Sequence, residues 1–160
     1  MAAQIFRVAL TGTLIFPSVA SAQETLKCEP VTQNQIIALF DRWNASLKTK
    51  NPDEVVKNYA PDAVLLPTVS NKPRTNPREI RDYFVHFLAK SPQGVINSRT
   101  VHVGCNNAYD AGTYTFTMTG ADGKTIQVPA RYSFIYELRD GKWLIVHHHS
   151  SAMPEAVPAD

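Results

Sequence analysis

Apolar residues recur at helical spacing in the first half of the chain and alternate in the second. Ile36, Ile37, Leu39, Phe40, Trp43 and Leu47 mark one apolar stripe. Thr32-Gln33-Asn34-Gln35 ahead of it has the form of a capping box, so a first helix is predicted over 33–49. Asn51-Pro52, followed by Asp53 and Glu54, supplies an N-cap, a first-turn proline and acids suited to the helix dipole. A short second helix is expected there, ending near Tyr59, and then a short strand at 63–66. Asn76-Pro77-Arg78-Glu79 repeats the same start signal, with Ile80, Tyr83, Phe84, Phe87 and Leu88 forming the stripe of a third helix. From Gly94 the period becomes two, predicting strands near 95–105, 112–119, 125–138 and 142–151. Asp122-Gly123 and Asp140-Gly141 are the dipeptides of tight hairpin turns. Three helices followed by a curling antiparallel meander make an α+β domain with helices covering one face of the sheet.

The segment ahead of the first helix changes the picture. Arg7, the apolar run Val8–Phe16 and the small residues Ala20-Ser21-Ala22 read as a secretory signal over residues 1–22, cleaved after Ala22. The apolar run is about half of what a bilayer span needs. Lys27 immediately before Cys28 does not fit a lipoprotein signal. The domain is expected at 23–152, with a mobile tail at 153–160, in the periplasm or secreted, and no membrane association once the signal is removed. Of the 160 residues, 138 remain, with 15 basic and 14 acidic side chains and no basic run. A nucleic-acid partner is therefore not expected. In an oxidising compartment the two cysteines, Cys28 and Cys105, can pair in one way, and a disulfide is predicted; two buried free thiols are the alternative.

The last strand, Gly141-Lys142-Trp143-Leu144-Ile145-Val146-His147-His148-His149-Ser150-Ser151-Ala152-Met153-Pro154, resembles the terminal strand of the calcium/calmodulin-dependent protein kinase II association domain. Helix one through Trp43-Asn44, the stretch Tyr59 to Pro67 and Arg81-Asp82-Tyr83-Phe84 fit as well, so the resemblance spans nearly the whole mature chain. It implies a cone-shaped nuclear transport factor 2-like (SnoaL-like) fold and a homodimer through the open sheet. The nearest relatives would be the exported bacterial proteins grouped as SgcJ/EcaC-like. That fold hosts isomerases, dehydratases, cyclases and non-catalytic assembly modules, so the resemblance does not fix an activity. A kinase is excluded, since the chain has no glycine-rich loop and no His-Arg-Asp or Asp-Phe-Gly motif. Nor is there a basic amphipathic helix of the calmodulin-target kind, and calmodulin is not expected as a partner.

Arg131 stands in mid-strand, where a charge needs a partner or a ligand. The resemblance implies that it lines the pocket and anchors a carboxylate; an ion pair with Glu137 or Asp110 is the structural alternative. The family carries further arginines at the positions of Thr115 and Ser150, which points here to a smaller or less charged guest. A pocket faced by Arg131 and Ser150 also contains His148 and leaves His147 and His149 on the opposite face. Those two histidines share a face and suggest a metal, but none of His102, Asp110 and Glu137 is selected as a third ligand, and the family has both histidines without a metal site. No metal or other cofactor is expected.

Tyr59 and Asp62 lie where related enzymes recruit a general acid or base; the same residues also read as a helix end and an Asp-stabilised turn. Trp43 reads as core, as ligand contact or as both. Tyr114, Phe116, Met118, Tyr132, Phe134 and Tyr136 form one apolar set, either the core under the helices or a sheet-to-sheet dimer surface. Asn44-Ala45-Ser46 matches a glycosylation acceptor but falls inside the first helix. The leading expectation is a secreted, dimeric small-molecule-binding domain with a pocket of Arg131, Trp43, Tyr59, Thr115, His148 and Ser150 for a small organic acid or polar metabolite. The alternative is an isomerase, cyclase or dehydratase with His148 and Asp62 or Tyr59 handling protons.

Overall fold

The computed structural model describes residues 27–155; the export signal read in residues 1–22 and residues 156–160 of the tail lie outside them. Thr32 caps α1 (Gln33–Lys48) through the expected box: its hydroxyl accepts from the Gln35 N–H at 3.3 Å, and Gln35 Oε1 accepts from the Thr32 N–H at 2.8 Å. Asn51 caps α2 (Pro52–Val56), which ends earlier than its sequence suggested. The Asn58 amide donates back to the carbonyls of Glu54 and Val55 at 3.3 and 3.0 Å, closing the helix and releasing the chain into β1 (Tyr59–Leu66). Asn76 caps α3 (Pro77–Leu88), and Arg81 on α3 pairs with Asp53 on α2 at 2.7 Å.

The remaining strands are β2 (Gln93–Val103), β3 (Asn107–Thr119), β4 (Thr125–Arg139) and β5 (Lys142–Ala152). Both Asp-Gly turns hold positive φ, 78° at Gly123 and 51° and 73° at Asp140 and Gly141. The sheet order is β1-β5-β4-β3-β2, antiparallel except that β1 runs parallel to β5. The sheet is thus mixed, and its last strand in sequence lies between the first strand and the meander.

Two bulges curve the sheet and reset which residues face inward. In β2 the register slips between Ile96 and Ser98, so Ile96 opposes Tyr114 while Arg99 opposes Gly112. Residues of opposite parity thereby reach the same face. A Cβ on Gly112 would overlap the Ser98 carbonyl, so the bulge needs glycine across from it. In β5 the slip lies between Ile145 and His147, bringing Ile145 and His148 to one face.

The helices cover that face. Tyr114, Phe116, Met118, Tyr132, Phe134 and Tyr136 are all buried beneath them, which makes the aromatic set the core and removes it as a candidate dimer surface. Phe40 sits amid the rings of Trp43, Tyr114, Tyr132 and Phe134, with centroids 5.9 to 6.5 Å away. Asn44, the residue of the acceptor motif, spends its amide on Gly94, accepting from its N–H at 3.0 Å and donating to its carbonyl at 2.8 Å, and so pins α1 to β2.

Cys28 and Cys105 form the predicted disulfide, their Cα atoms 4.9 Å apart. Asn106 supports it on both sides, accepting from the Glu29 N–H and donating to the Lys27 carbonyl, each at 2.8 Å. No helix among the described residues is long and apolar enough to cross a membrane.

Candidate functional site

α1 delivers Trp43, the first residue of β1 is Tyr59, and alternation on β5 turns His148 and Ser150 to the same inner face. These four of the expected pocket residues do come together. The Trp43 indole can only donate, and it gives its hydrogen to the Tyr59 hydroxyl at 3.0 Å. The Tyr59 hydroxyl lies 2.9 Å from Nδ1 of His148, the one acceptor within reach of its own hydrogen among the described residues. Nδ1 is therefore the acceptor, and the neutral imidazole carries its proton on Nε2. That Nε2 is buried and has no partner.

The imidazole is 3% exposed, stacks on Phe134 with centroids 4.0 Å apart and meets the Trp43 ring edge-on at 5.3 Å. Burial drives its pKa down to about 3, with His147 and His149 adding to the shift. Burial drives the Tyr59 phenol the other way, well above its ordinary value. Both groups are held uncharged.

His148 forms one wall of a cavity of about 10 Å³, room for roughly one water molecule. Trp43, Tyr83, Phe87, Tyr114 and Ser150 form much of the rest. Tyr114 donates to Ser150 Oγ at 2.5 Å, and Thr68 in the loop after β1 also bonds Ser150. Tyr83 and Phe87, stacked at 5.4 Å, also line a second, outer cavity of about 220 Å³ and so stand between the two.

The other expected site residues lie elsewhere. Arg131 is exposed on the outer face of β4, opposite Ser151, to whose hydroxyl it donates at 3.3 Å. Ser150 pairs instead with Tyr132, so Arg131 cannot share an inner pocket with Ser150 and His148. Thr115 is also on the outer face, donating to Asn97 at 2.9 Å. Asp62 is exposed on β1 and pairs with Arg139, whose guanidinium holds the carboxyl below the usual range, so it belongs to a surface ion pair rather than to the cavity. His147 and His149 lie on the outer face, as parity predicted, and His102 stacks on Tyr109. Among the described residues no three His, Cys, Asp or Glu side chains gather around a common point.

A buried charge cluster was not read from the sequence as part of the site. Asp110 on β3 is fully buried; it accepts from Tyr132 at 2.8 Å and from Arg99 Nε at 3.1 Å. The Arg99 guanidinium sits 5.5 Å from the Phe40 ring centroid. Burial pushes the Asp110 carboxyl up, against the opposing pull of Tyr132 and Arg99. Parity held a signal for this cluster: Asp110 is in phase with Tyr114, Phe116 and Met118, a charge on the apolar face.

The family model for the calcium/calmodulin dependent protein kinase II association domain matches residues 32–154. A crystal structure from Xanthomonas campestris, described as such an association domain, is 52% identical, covers 86% of this chain and 100% of its own, and superposes with a TM-score of 0.75. A nuclear transport factor 2-like superfamily protein from Salmonella enterica shares 19% identity over 78% of this chain and 93% of its own, with a TM-score of 0.66. A protein of the same fold from Streptomyces avermitilis, described as a dehydratase, shares 10% identity over 76% and 96%, with a TM-score of 0.68. The last two likenesses concern the fold alone.

Proposed function

Because this chain belongs to the calcium/calmodulin dependent protein kinase II association domain family, we propose that it is an exported, homodimeric small-molecule-binding domain of that family, without kinase activity and with neither calmodulin nor nucleic acid as a partner. The observation that carries the binding reading is the buried His148 N–H without an acceptor, at the wall of a cavity lined by Trp43, Tyr83, Phe87 and Tyr114. An unsatisfied buried donor costs about 1–3 kcal/mol, and a ligand oxygen placed there recovers it. The guest is a small, mostly apolar molecule bearing a carbonyl or hydroxyl oxygen. It enters past Tyr83 and Phe87, which must swing aside because the cavity as it stands holds little more than a water molecule. The Cys28–Cys105 disulfide supports a location outside the cytoplasm. The dimer reading rests on the outer sheet face, which no helix among the described residues covers and which exposes Tyr109 and Ile135.

The contact between Tyr59 and His148 favours an enzymatic reading more than any other feature, and one neighbour in fold is described as a dehydratase. Efficient general acid–base catalysis needs groups whose pKa lies near the working pH. Here burial moves the base down and the acid up, so the pair orients a hydrogen bond better than it transfers a proton. The test is a thermal-shift titration with small cyclic ketones on wild type and His148→Phe. A rise in Tm that disappears in the variant supports binding at His148; an equal rise in both, or none in wild type, refutes it. Deuterium uptake next to the ketone carbonyl in D₂O, lost in His148→Phe, would move the assignment to the acid–base reading.

A further inference from the structure

The outer cavity has a chemistry of its own. It lies between α3 and the segment linking β1 to α3, and its walls carry Arg74, His86 and Lys90 with Ser70 and the apolar faces of Val69, Tyr83 and Phe87. Three basic side chains therefore line one cavity, and among the described residues no carboxylate does. The nearby acid Glu79 is already engaged, accepting from Lys72 Nζ at 3.1 Å and from the Thr75 N–H at 3.1 Å.

Of the three, Arg74 alone holds a buried side-chain nitrogen without a partner among the described residues. Its backbone is fixed by a two-way bridge to Leu65, with N···O distances of 2.8 and 2.9 Å, so the side chain projects from an anchored point. Its guanidinium makes one side-chain hydrogen bond among the described residues, to Ser70 Oγ at 3.3 Å, and forms no ion pair there. Its Nε is buried without an acceptor. A guanidinium presents five N–H donors in a planar fork that fits an oxyanion such as a carboxylate or phosphate, and the apolar walls of Val69, Tyr83 and Phe87 favour an acid carried on an apolar ring.

We propose that this outer cavity is a binding site for a small carboxylic acid carrying one ring, with the carboxylate on Arg74, Lys90 nearby as a second cation, and the ring against Tyr83, Phe87 and Val69. The volume of about 220 Å³ lies below the range of drug-sized pockets, which limits the guest to roughly one ring and its acid group. The site is separate from the His148 cavity and does not require that cavity to be occupied.

The experiment is calorimetric titration of the mature chain with benzoate, with benzyl alcohol and inorganic sulfate as comparisons, on wild type, Arg74→Gln, Lys90→Gln and His148→Phe. Benzoate is expected to bind wild type and His148→Phe alike, about 10-fold or more weaker to Arg74→Gln and a few-fold weaker to Lys90→Gln. Lys90 is exposed, so its variant remains informative if Arg74→Gln folds poorly. Benzyl alcohol and sulfate are expected to bind much more weakly, because each lacks one half of the recognition. Equal benzoate affinity in the wild type and both cavity variants overturns the proposal, as does sulfate binding as tightly as benzoate, or no benzoate binding up to about 10 mM. Loss in His148→Phe with none in Arg74→Gln places the acid in the inner cavity and also overturns it, while leaving the binding reading of His148 intact.

Discussion

Acid should weaken this fold through one residue. An unfolded chain protonates His148 near its ordinary pKa of 6.5, whereas the folded core holds it at about 3. A base with a depressed folded pKa contributes no penalty above 6.5 and an increasing one as pH falls, because only the unfolded state takes up the proton. The slope approaches about 1.4 kcal/mol per pH unit, and the loss from His148 between pH 7 and about pH 4.5 comes to about 2.5 kcal/mol, a large fraction of a typical domain stability of about 5–15 kcal/mol. His147, also lowered by burial, acts in the same sense. Asp110, whose carboxyl is raised by burial, acts in the opposite one. Comparing wild type with His148→Phe isolates the single term, since the phenyl ring can keep the stacking on Phe134 and the edge contact with Trp43 but cannot take up a proton. Urea midpoints measured between pH 7 and about pH 4.5 should fall more steeply for wild type, by about 2.5 kcal/mol across the range at constant m. Parallel pH profiles for the two proteins would refute the claim that the imidazole is held neutral.

Gly112→Ala sets a new methyl against the Ser98 carbonyl at the bulge, where only backbone can give way; a loss of about 3 kcal/mol or more by urea denaturation is expected. Reducing the disulfide, or replacing Cys105 by Ser, opens a link across 77 residues and should cost about 4 kcal/mol in the same assay, while circular dichroism keeps its sheet signature because the Asn106 hydrogen bonds to the N-terminal arm remain.

The fold was largely legible because its start and stop signals are local. Thr32, Asn51 and Asn76 each cap the helix their sequence announced, and the Asp-Gly pairs turn where expected. The site was half legible. Trp43, Tyr59, His148 and Ser150 converge, and the split between His148 and its two neighbours followed from parity. Arg131 and Thr115 were placed in the pocket by resemblance, although each is out of phase with the apolar residues of its own strand: Tyr132 and Phe134 in one case, Tyr114 and Phe116 in the other. Arg99 was hidden for a different reason. A bulge at Asn97 carries it to the inner face, and no periodicity in β2 announces a skipped residue. The orphaned nitrogens of His148 and Arg74 are properties of three-dimensional surroundings, which spacing along a chain does not encode.

The placing of β5 between β1 and β4 also constrains how the chain can be made. Until β5 is available, β1 has no neighbouring strand in the sheet and β4 presents a free edge, so the sheet cannot close gradually from its N-terminus. The hydroxyl of Tyr59 meets His148 across 89 positions, which means that the polar centre of the core is assembled last. A chain shortened before Lys142 would lack the strand that joins the two parts of the sheet and would leave two unpaired edges open to other chains. Synthesis of this protein therefore passes through an interval in which β1 to β4 exist and the native core does not, the interval in which a chaperone has the most to protect.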